Sequence, residues 1–216
     1  MNQPYPKKSE QTLKRKLHQN SHLIRNRKFL FFLLFIMIFL NPGCISKSQP
    51  DKKSFLILIP PLDNSTKNDM KLRLRRIKIS PLFSDKNLIY RRSDNNFESD
   101  FYNEFLVNPS SVLHEEIKKA LENSNSFAIV VDETSRADAN LIGEMTVDSL
   151  YADLREKPLS VVSITFTLFN EENRILYRTF KEQKISLKNS DASEIVSGYG
   201  TAFQKILNSI LKEIQK

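Results

Sequence analysis

The hydrophobic pattern divides the chain into one continuous apolar run and a longer region of regularly spaced apolar residues. Twelve apolar residues follow one another from Phe29 to Leu40. Beyond residue 54, stretches in which apolar and polar residues alternate predict strands, and stretches with apolar residues three and four apart predict helices. The pattern therefore predicts a short apolar N-terminal segment and one folded domain.

Seven strands are predicted in that domain. Apolar positions change parity between Leu74 and Ile77, which predicts a bulge near Arg75 and Arg76. The last two strands form a hairpin that turns at residues 170–173. The seven strands span Phe55–Ile59, Lys71–Ile79, Leu88–Arg91, Phe127–Val131, Leu141–Asp148, Val162–Leu168 and Ile175–Phe180.

Two amphipathic helices complete the pattern. The first begins at Pro109 and ends by residue 126, with Leu113, Ile117 and Leu121 on one face. The second begins at Asp191, where Glu194 three residues later indicates a capping box. Its apolar stripe contains Ile195, Tyr199, Phe203, Ile206, Ile210 and Ile214. These elements predict an α+β fold: a two-layer sandwich with a mixed sheet of about seven strands and both helices on one face.

The N-terminal apolar run is too short for a permanent membrane span. Twelve helical residues reach about 18 Å, whereas the hydrocarbon core of a bilayer is about 30 Å thick. A basic segment, a short apolar run and a small residue, Gly43, are the parts of an export signal. Residues 1–43 are therefore predicted to be a signal peptide, and an uncleaved N-terminal anchor is the alternative.

The single cysteine, Cys44, directly follows this segment. Its position resembles the lipobox of bacterial lipoproteins, which implies a covalent diacylglycerol and an N-acyl lipid on Cys44 and an anchor in the membrane. Asn41 departs from the usual aliphatic residue three places before the cysteine, and an unmodified Cys44 is the alternative. Ile45 in place of an aspartate favours the outer membrane over the inner membrane. Residues 44–54 are predicted to be the lipidated cysteine and a polar tether.

The basic charge lies almost entirely in the predicted signal peptide. The whole chain has 33 basic and 25 acidic residues. Residues 1–43 hold eight of the basic residues and one of the acidic ones, which leaves 25 and 24 for residues 44–216. The charge therefore gives no reason to expect a nucleic-acid partner for the mature domain.

The predicted mature chain has few residues suited to catalysis or metal binding. It contains one histidine, His114, one cysteine, Cys44, and three glycines, so neither a His/Cys zinc cluster nor a glycine-rich phosphate loop is available. We interpret His114 as a solvated helix residue, and Glu144, Asp148 and Asp153 as exposed acids. The domain is predicted to have no enzymatic activity and no non-covalent cofactor or metal.

Two groups of side chains are candidates for contacts with partners. Basic residues from Lys71 to Lys78 suggest either a solvated edge strand or a surface for anionic groups. Aromatic residues between residues 90 and 105 suggest a surface that contacts a partner subunit or a lipid chain; capping of the open core is the alternative. This predicted contact set consists of Tyr90, Arg91, Phe101, Tyr102 and Phe105.

Several short sequence patterns follow one another in a specific order from residue 89 onward. They are Ile89-Tyr90-Arg91, then Asp100, Tyr102, Phe105 and Pro109 before a helix, Ala137-Asp138 before the strand with Gly143, and Tyr151-Ala152-Asp153-Leu154-Arg155 before a hairpin. In this order the chain resembles the ABC-type transport auxiliary lipoproteins, the PqiC-like family. The resemblance covers roughly residues 55–214, and Phe105 departs from the tryptophan that many relatives carry.

The resemblance implies a PqiC-like domain over residues 55–216. Such a protein is expected to be an auxiliary component of an MCE-type ABC transporter that moves lipids across the cell envelope. The expected partners are an MCE-domain protein and the ABC permease and ATPase of the same system, and homo-oligomer formation is left open. The alternative is an LptE-like or curli-secretion-like outer-membrane assembly lipoprotein, which the ILIPPLDNST string at residues 57–66 suggests.

Overall fold

The central strand of the sheet is also its longest described strand, β7 (Leu141–Asp153). The structure is a computed structural model that describes residues 51–63 and 69–215. One edge of β7 pairs antiparallel with β8 (Leu159–Asn170), which pairs antiparallel with β9 (Ile175–Ser186). The predicted hairpin is confirmed, and Asn173 has the positive φ of 59° that its tight turn requires.

The other edge of β7 pairs with three short strands in turn, all of them parallel to it. Two of the three extend the sheet outward, so it divides into two branches on this side of β7. The strands are β1 (Lys53–Phe55), β2 (Lys71–Leu74), β3 (Lys78–Ile79), β4 (Asn87–Arg91), β5 (Phe97–Phe105) and β6 (Ile129–Asp132). The branches are β4-β5-β1 and β2-β6, while β3 pairs with β7 alone.

Both helices pack on one face of this sheet. They are α1 (Pro109–Asn123) and α2 (Ala192–Ile214). Leu121 of α1 and Leu207 of α2 line the same small void, together with Leu72 and Phe166 of the sheet. The predicted α+β two-layer sandwich, with a mixed sheet and two helices on one face, is confirmed.

The sheet has nine described strands where seven were predicted. The additional strand β5 was missed because its side chains are largely exposed on both faces and show no apolar alternation. The predicted strand Lys71–Ile79 is divided into β2 and β3 by Arg75–Ile77. Across this break the pairing register with β7 shifts by one residue. The β2–β3 side therefore has one residue more than β7, and one extra residue is what a β-bulge, as predicted here, adds to a strand.

The predicted strand Phe55–Ile59 is wrong beyond Phe55. Residues 56–63, the N-terminal segment, leave the sheet and cross both helices. The Ile59 N–H donates to Glu116 of α1 at 3.3 Å, and the Asp63 N–H donates to Asn208 of α2 at 3.0 Å. Pro60 and Pro61 have no N–H, so the segment could not continue a hydrogen-bonded ladder.

The start of α2 differs from the prediction in its capping. Asp191 is the N-cap residue, but its side chain makes no capping hydrogen bond. The Glu194 carboxylate accepts from the Lys188 N–H at 3.4 Å, and the Asp191 N–H donates to Asn189. The predicted capping box is therefore wrong, although Asp191 is the N-cap residue, as a helix starting at this point requires.

A glycine permits the close approach of the N-terminal segment to α2. A Cβ atom at position 200 would overlap the carbonyl oxygen of Leu58, which is a backbone atom with little freedom to move. Glycine is normally unfavourable inside a helix by about 1 kcal/mol relative to alanine. At Gly200 the packing contact outweighs this preference.

We expect Gly200→Ala to lower the free energy of unfolding by about 2 kcal/mol, because the clash exceeds the gain in helix propensity. Ser197→Ala is the matched control, since Ser197 is exposed on the same helix. Urea unfolding followed by circular dichroism measures both variants. A Gly200→Ala variant as stable as Ser197→Ala would contradict this packing.

Candidate functional site

The predicted contact set does not form a single surface. Tyr90 and Phe105 are buried in the core. The guanidinium of Arg91 lies 5.6 Å from the centroid of the Phe97 ring. Phe101 and Tyr102 alone are well exposed, at 60% and 38%, and their ring centroids lie 5.2 Å apart. The contact role of the set stays a prediction, and the two exposed aromatics are its accessible members.

Asp100 connects the buried and exposed members of the set. Its carboxylate accepts hydrogen bonds from the Tyr90 hydroxyl at 2.6 Å and from the side-chain amide of Asn103 at 2.7 Å. It also accepts from the backbone N–H groups of Tyr102 and Asn103. Burial raises the pKa of Asp100, but these hydrogen bonds outweigh burial, and the pKa lies below its usual value. The carboxylate therefore stays ionised and is occupied by structural hydrogen bonds.

A polar cleft of about 550 Å³ lies beside this carboxylate. Its walls come from β1, β4, β5 and the start of α2, including Lys53, Tyr90 and Asp191. Burial raises the pKa of Tyr90, and the Asp100 carboxylate raises it further. Tyr90 therefore acts as a hydrogen-bond donor at neutral pH, and its hydroxyl is not available as a base.

A largely apolar groove lies between the N-terminal segment and α1. We call it the apolar groove; its volume is about 480 Å³. Leu56, Leu58 and Val107 are 45%, 65% and 44% exposed, and Leu106 beside them is 52% exposed. Single exposed apolar residues are ordinary on a protein surface, whereas several together mark a contact surface. The groove is lined by Leu56, Ile57, Leu58, Val107, Asn108, Ser111, Val112, Glu115 and Glu116.

Sequence reasoning missed the apolar groove. The run from Phe55 to Ile59 was interpreted as a buried strand, although only Ile57 within it is buried. Pro60 and Pro61 directly after the run were the available signal, because a central strand rarely ends in two prolines. Residues 106 and 107 were not singled out at all.

The predicted exposed acid Asp153 is in fact buried, at 8% exposure. Arg155 donates two side-chain hydrogen bonds to it, at 3.0 and 2.7 Å, and also bonds to Asp94. The hydrogen bonds from Arg155 lower the pKa of Asp153 and outweigh the opposite effect of burial. This part of the Tyr151–Arg155 motif fixes the end of β7 through an ion pair.

His114 is not the solvated residue that was predicted, because its side chain is only 13% exposed. Its Nε2 atom lies 3.1 Å from one carboxylate oxygen of Asp132, and the other oxygen of that carboxylate accepts a hydrogen bond from Lys118 at 2.8 Å. The hydrogen bond from Lys118, followed by that from His114, lowers the pKa of Asp132. Among the described residues the His114 Nδ1 atom has no hydrogen-bond partner, so no serine completes a catalytic triad there.

Two arginines of the predicted strand Lys71–Ile79, Arg73 and Arg75, have structural partners. β2 pairs with both β6 and β7, so the edge-strand interpretation is wrong for Lys71–Leu74, whereas β3, which contains Lys78, pairs with β7 alone. Arg73 donates to the carbonyl oxygens of Ser135 and Ala137, at 2.6 and 2.8 Å. Arg75 forms an ion pair with Glu144. Arg73 thus binds the loop after β6, and Arg75 binds β7.

Two structural features are absent from residues 51–63 and 69–215. No helix in these ranges combines the length and the apolar character needed to span a membrane. No cluster of three or more histidine, cysteine, aspartate or glutamate side chains in the same ranges is arranged to hold a metal ion. The predicted signal peptide and Cys44 lie outside the described residues.

Two solved structures share the fold of this chain at low sequence identity. Protein XCC0632 of Xanthomonas campestris, described as a DUF330 protein, matches with a TM-score of 0.65 and 10% identity over 74% of this chain and 92% of its own. An uncharacterized protein matches with a TM-score of 0.61 and 12% identity over 76% of this chain and 99% of its own. The PelC dodecamer of Paraburkholderia phytofirmans matches at a TM-score of 0.39 and 11% identity, over 67% of this chain and 93% of its own. No family model and no curated protein matches the chain.

The first two comparisons define the class of the protein by fold alone. The chain has the two-layer α+β architecture of the DUF330 protein, with nearly the full length of that structure covered. At 10% identity the likeness extends to the arrangement of strands and helices and no further.

Two buried tyrosines have opposite hydrogen-bonding states, which predicts opposite effects of removing their hydroxyls. Tyr199 is fully buried and its hydroxyl has no partner among the described residues, whereas Tyr90 donates to Asp100. We expect Tyr199→Phe to raise the free energy of unfolding by about 1 kcal/mol and Tyr90→Phe to lower it by about 2 kcal/mol.

Urea unfolding of the two variants measures the difference. Each substitution removes one oxygen atom from a buried aromatic ring, so each is the matched control for the other. Destabilisation by Tyr199→Phe as large as that by Tyr90→Phe would show that the Tyr199 hydroxyl has a partner.

Proposed function

We propose that this protein is a non-enzymatic envelope lipoprotein that acts as an auxiliary component of an MCE-type ABC transporter for lipids. Lipidated Cys44 anchors it, with the outer membrane favoured, and the domain faces the periplasm. An MCE-domain protein binds the domain, while the permease and ATPase are separate chains of the same system. The domain itself has no cofactor other than the lipid on Cys44.

The observation that carries the proposal is the short length of chain between the proposed anchor and the apolar groove. β1 begins at Lys53, nine residues after Cys44. An extended chain spans at most about 3.6 Å per residue, so Lys53 lies within about 30 Å of the membrane surface if Cys44 is lipidated. Leu56 and Leu58 of the groove directly follow β1. The exposed apolar surface therefore stays close to the membrane, where a membrane-anchored partner is within reach.

The shape and chemistry of the groove suit a segment of another protein. Its lining is mostly aliphatic and includes the carboxylates of Glu115 and Glu116. An apolar helix or extended segment flanked by lysine or arginine would match both features. The resemblance of residues 89–155 to the ABC-type transport auxiliary lipoproteins supports an MCE-domain protein as the source of that segment.

Substituting one groove leucine by a charged residue tests this function. We expect Leu58→Glu to reduce recovery of an MCE-domain protein at least about fivefold, because it places a third carboxylate in the apolar groove. The measurement is affinity purification of the full-length protein from its native envelope in mild detergent, followed by quantitative mass spectrometry.

Leu82→Glu is the matched control, since Leu82 is 54% exposed and lies outside the apolar groove. It is expected to recover the partner like the unaltered chain. Equal recovery with both variants would exclude the groove as the contact surface. Recovery of an outer-membrane assembly barrel in place of an MCE-domain protein would favour the assembly-lipoprotein alternative.

A further inference from the structure

The outer edge of β9 is an unpaired strand edge of unusual length. β9 has twelve residues and pairs with β8 alone among the described strands. Such an edge presents a row of backbone N–H and C=O groups to which another strand can bind. One face of β9 is covered by α2, because Tyr177 and Lys181 both donate hydrogen bonds to Glu213 of that helix.

The other face of β9 carries exposed side chains with the chemistry of a contact surface. Successive side chains of a strand alternate between faces, so Arg178, Phe180 and Glu182 share this face. Phe180 is 59% exposed. Arg178 forms no ion pair within the described ranges, and Glu182 pairs with Lys184 at 2.9 Å. A cation, an aromatic ring and an anion thus follow one another at intervals of two residues.

We propose that a second copy of this chain pairs with β9 in antiparallel register about a two-fold axis at Phe180. In this register the Phe180 rings of the two copies are directly opposite each other. Arg178 of each copy is opposite Glu182 of the other, which gives two ion pairs that are absent from one copy alone. Directly opposite pairs of this kind stabilise a sheet, and a two-fold interface requires such self-complementarity. The inference does not depend on the proposed transport function.

Neighbouring registers either bring like charges together or lose the two ion pairs. An axis at Lys181 places the two Lys181 side chains opposite each other and Arg178 opposite Lys184. An axis at Thr179 brings no like charges together within β9, but it leaves Arg178 opposite Phe180 and Glu182 opposite Leu176, so both ion pairs are lost. Like charges directly opposite each other destabilise a sheet. The register with its axis at Phe180 avoids every such pair between Ile175 and Ile185, and it is therefore the one that the charges favour.

Charge reversal provides a test specific to this register. Arg178→Glu alone places two glutamates opposite each other at both ends of the contact, and Glu182→Arg alone places two arginines there. We expect each single variant to raise the dimer dissociation constant about tenfold or more. A mixture of the two variants restores opposite charges at both positions and is expected to form a heterodimer.

The measurement is sedimentation velocity of the full-length chain in mild detergent at several protein concentrations. Heterodimer formation by the mixture also shows that both variants are folded. A monomeric unaltered chain, an oligomer that neither single variant weakens, or a mixture that stays dissociated would each overturn the proposal.

A cysteine cross-link locates the axis directly. Phe180→Cys in the native envelope is expected to form a disulfide-linked dimer under mild oxidation, because the two side chains are opposite each other. Phe101→Cys is the matched control, since Phe101 is 60% exposed and lies on β5. Cross-linking at Phe101 that equals or exceeds that at Phe180 would contradict the assigned axis.

Discussion

The architecture depends on the way one strand, β7, pairs with other strands on both of its edges. One edge is paired with β8 from Leu141 to Asp153, and the other pairs with β2, β3 and β4 in turn. A bulge between Val147 and Ser149 reverses the alternation of side chains along the strand. Met145 and Val147 before the bulge, and Leu150 and Ala152 after it, are all buried.

The bulge also sets the positions of Tyr151 and Asp153 in the Tyr151–Arg155 motif. Without it, Tyr151 and Asp153 would point to the helix-covered face, and with it they point to the opposite one. There Tyr151 stacks on Phe83 with ring centroids 5.8 Å apart, and Asp153 binds Arg155. Because β4 pairs with this end of β7, the same register places Tyr90 beside Ala152 and directs its hydroxyl to Asp100. Tyr90 and Asp100 both line the polar cleft beside β1, so the position of the cleft depends on this register.

The sequence predicted the sheet class, both helices and the hairpin because their burial is one-sided and their apolar periodicity is therefore regular. It could not predict β5, whose exposed side chains carry no periodic signal, or the path of Leu56 and Leu58, which depends on contacts with helices more than fifty residues away. The contact set was chosen for its aromatic residues, and burial divides it: Phe105 packs against Tyr199, while Phe101 stays exposed. Which aromatic residue is accessible depends on tertiary packing, and local sequence does not encode it.

Mass spectrometry of the N-terminal peptide of the protein from its native envelope tests most directly whether the domain is held at the membrane as proposed. The expected result is a chain that begins at Cys44, with the tryptic peptide Cys44–Lys47 increased in mass by a diacylglyceryl group and an N-acyl chain. Cys44→Ala, which removes the acylated sulfur, is the control and should release the domain from the membrane fraction. A peptide that continues from Gly43 into an unmodified Cys44 would contradict the lipid anchor and support an uncleaved N-terminal anchor instead.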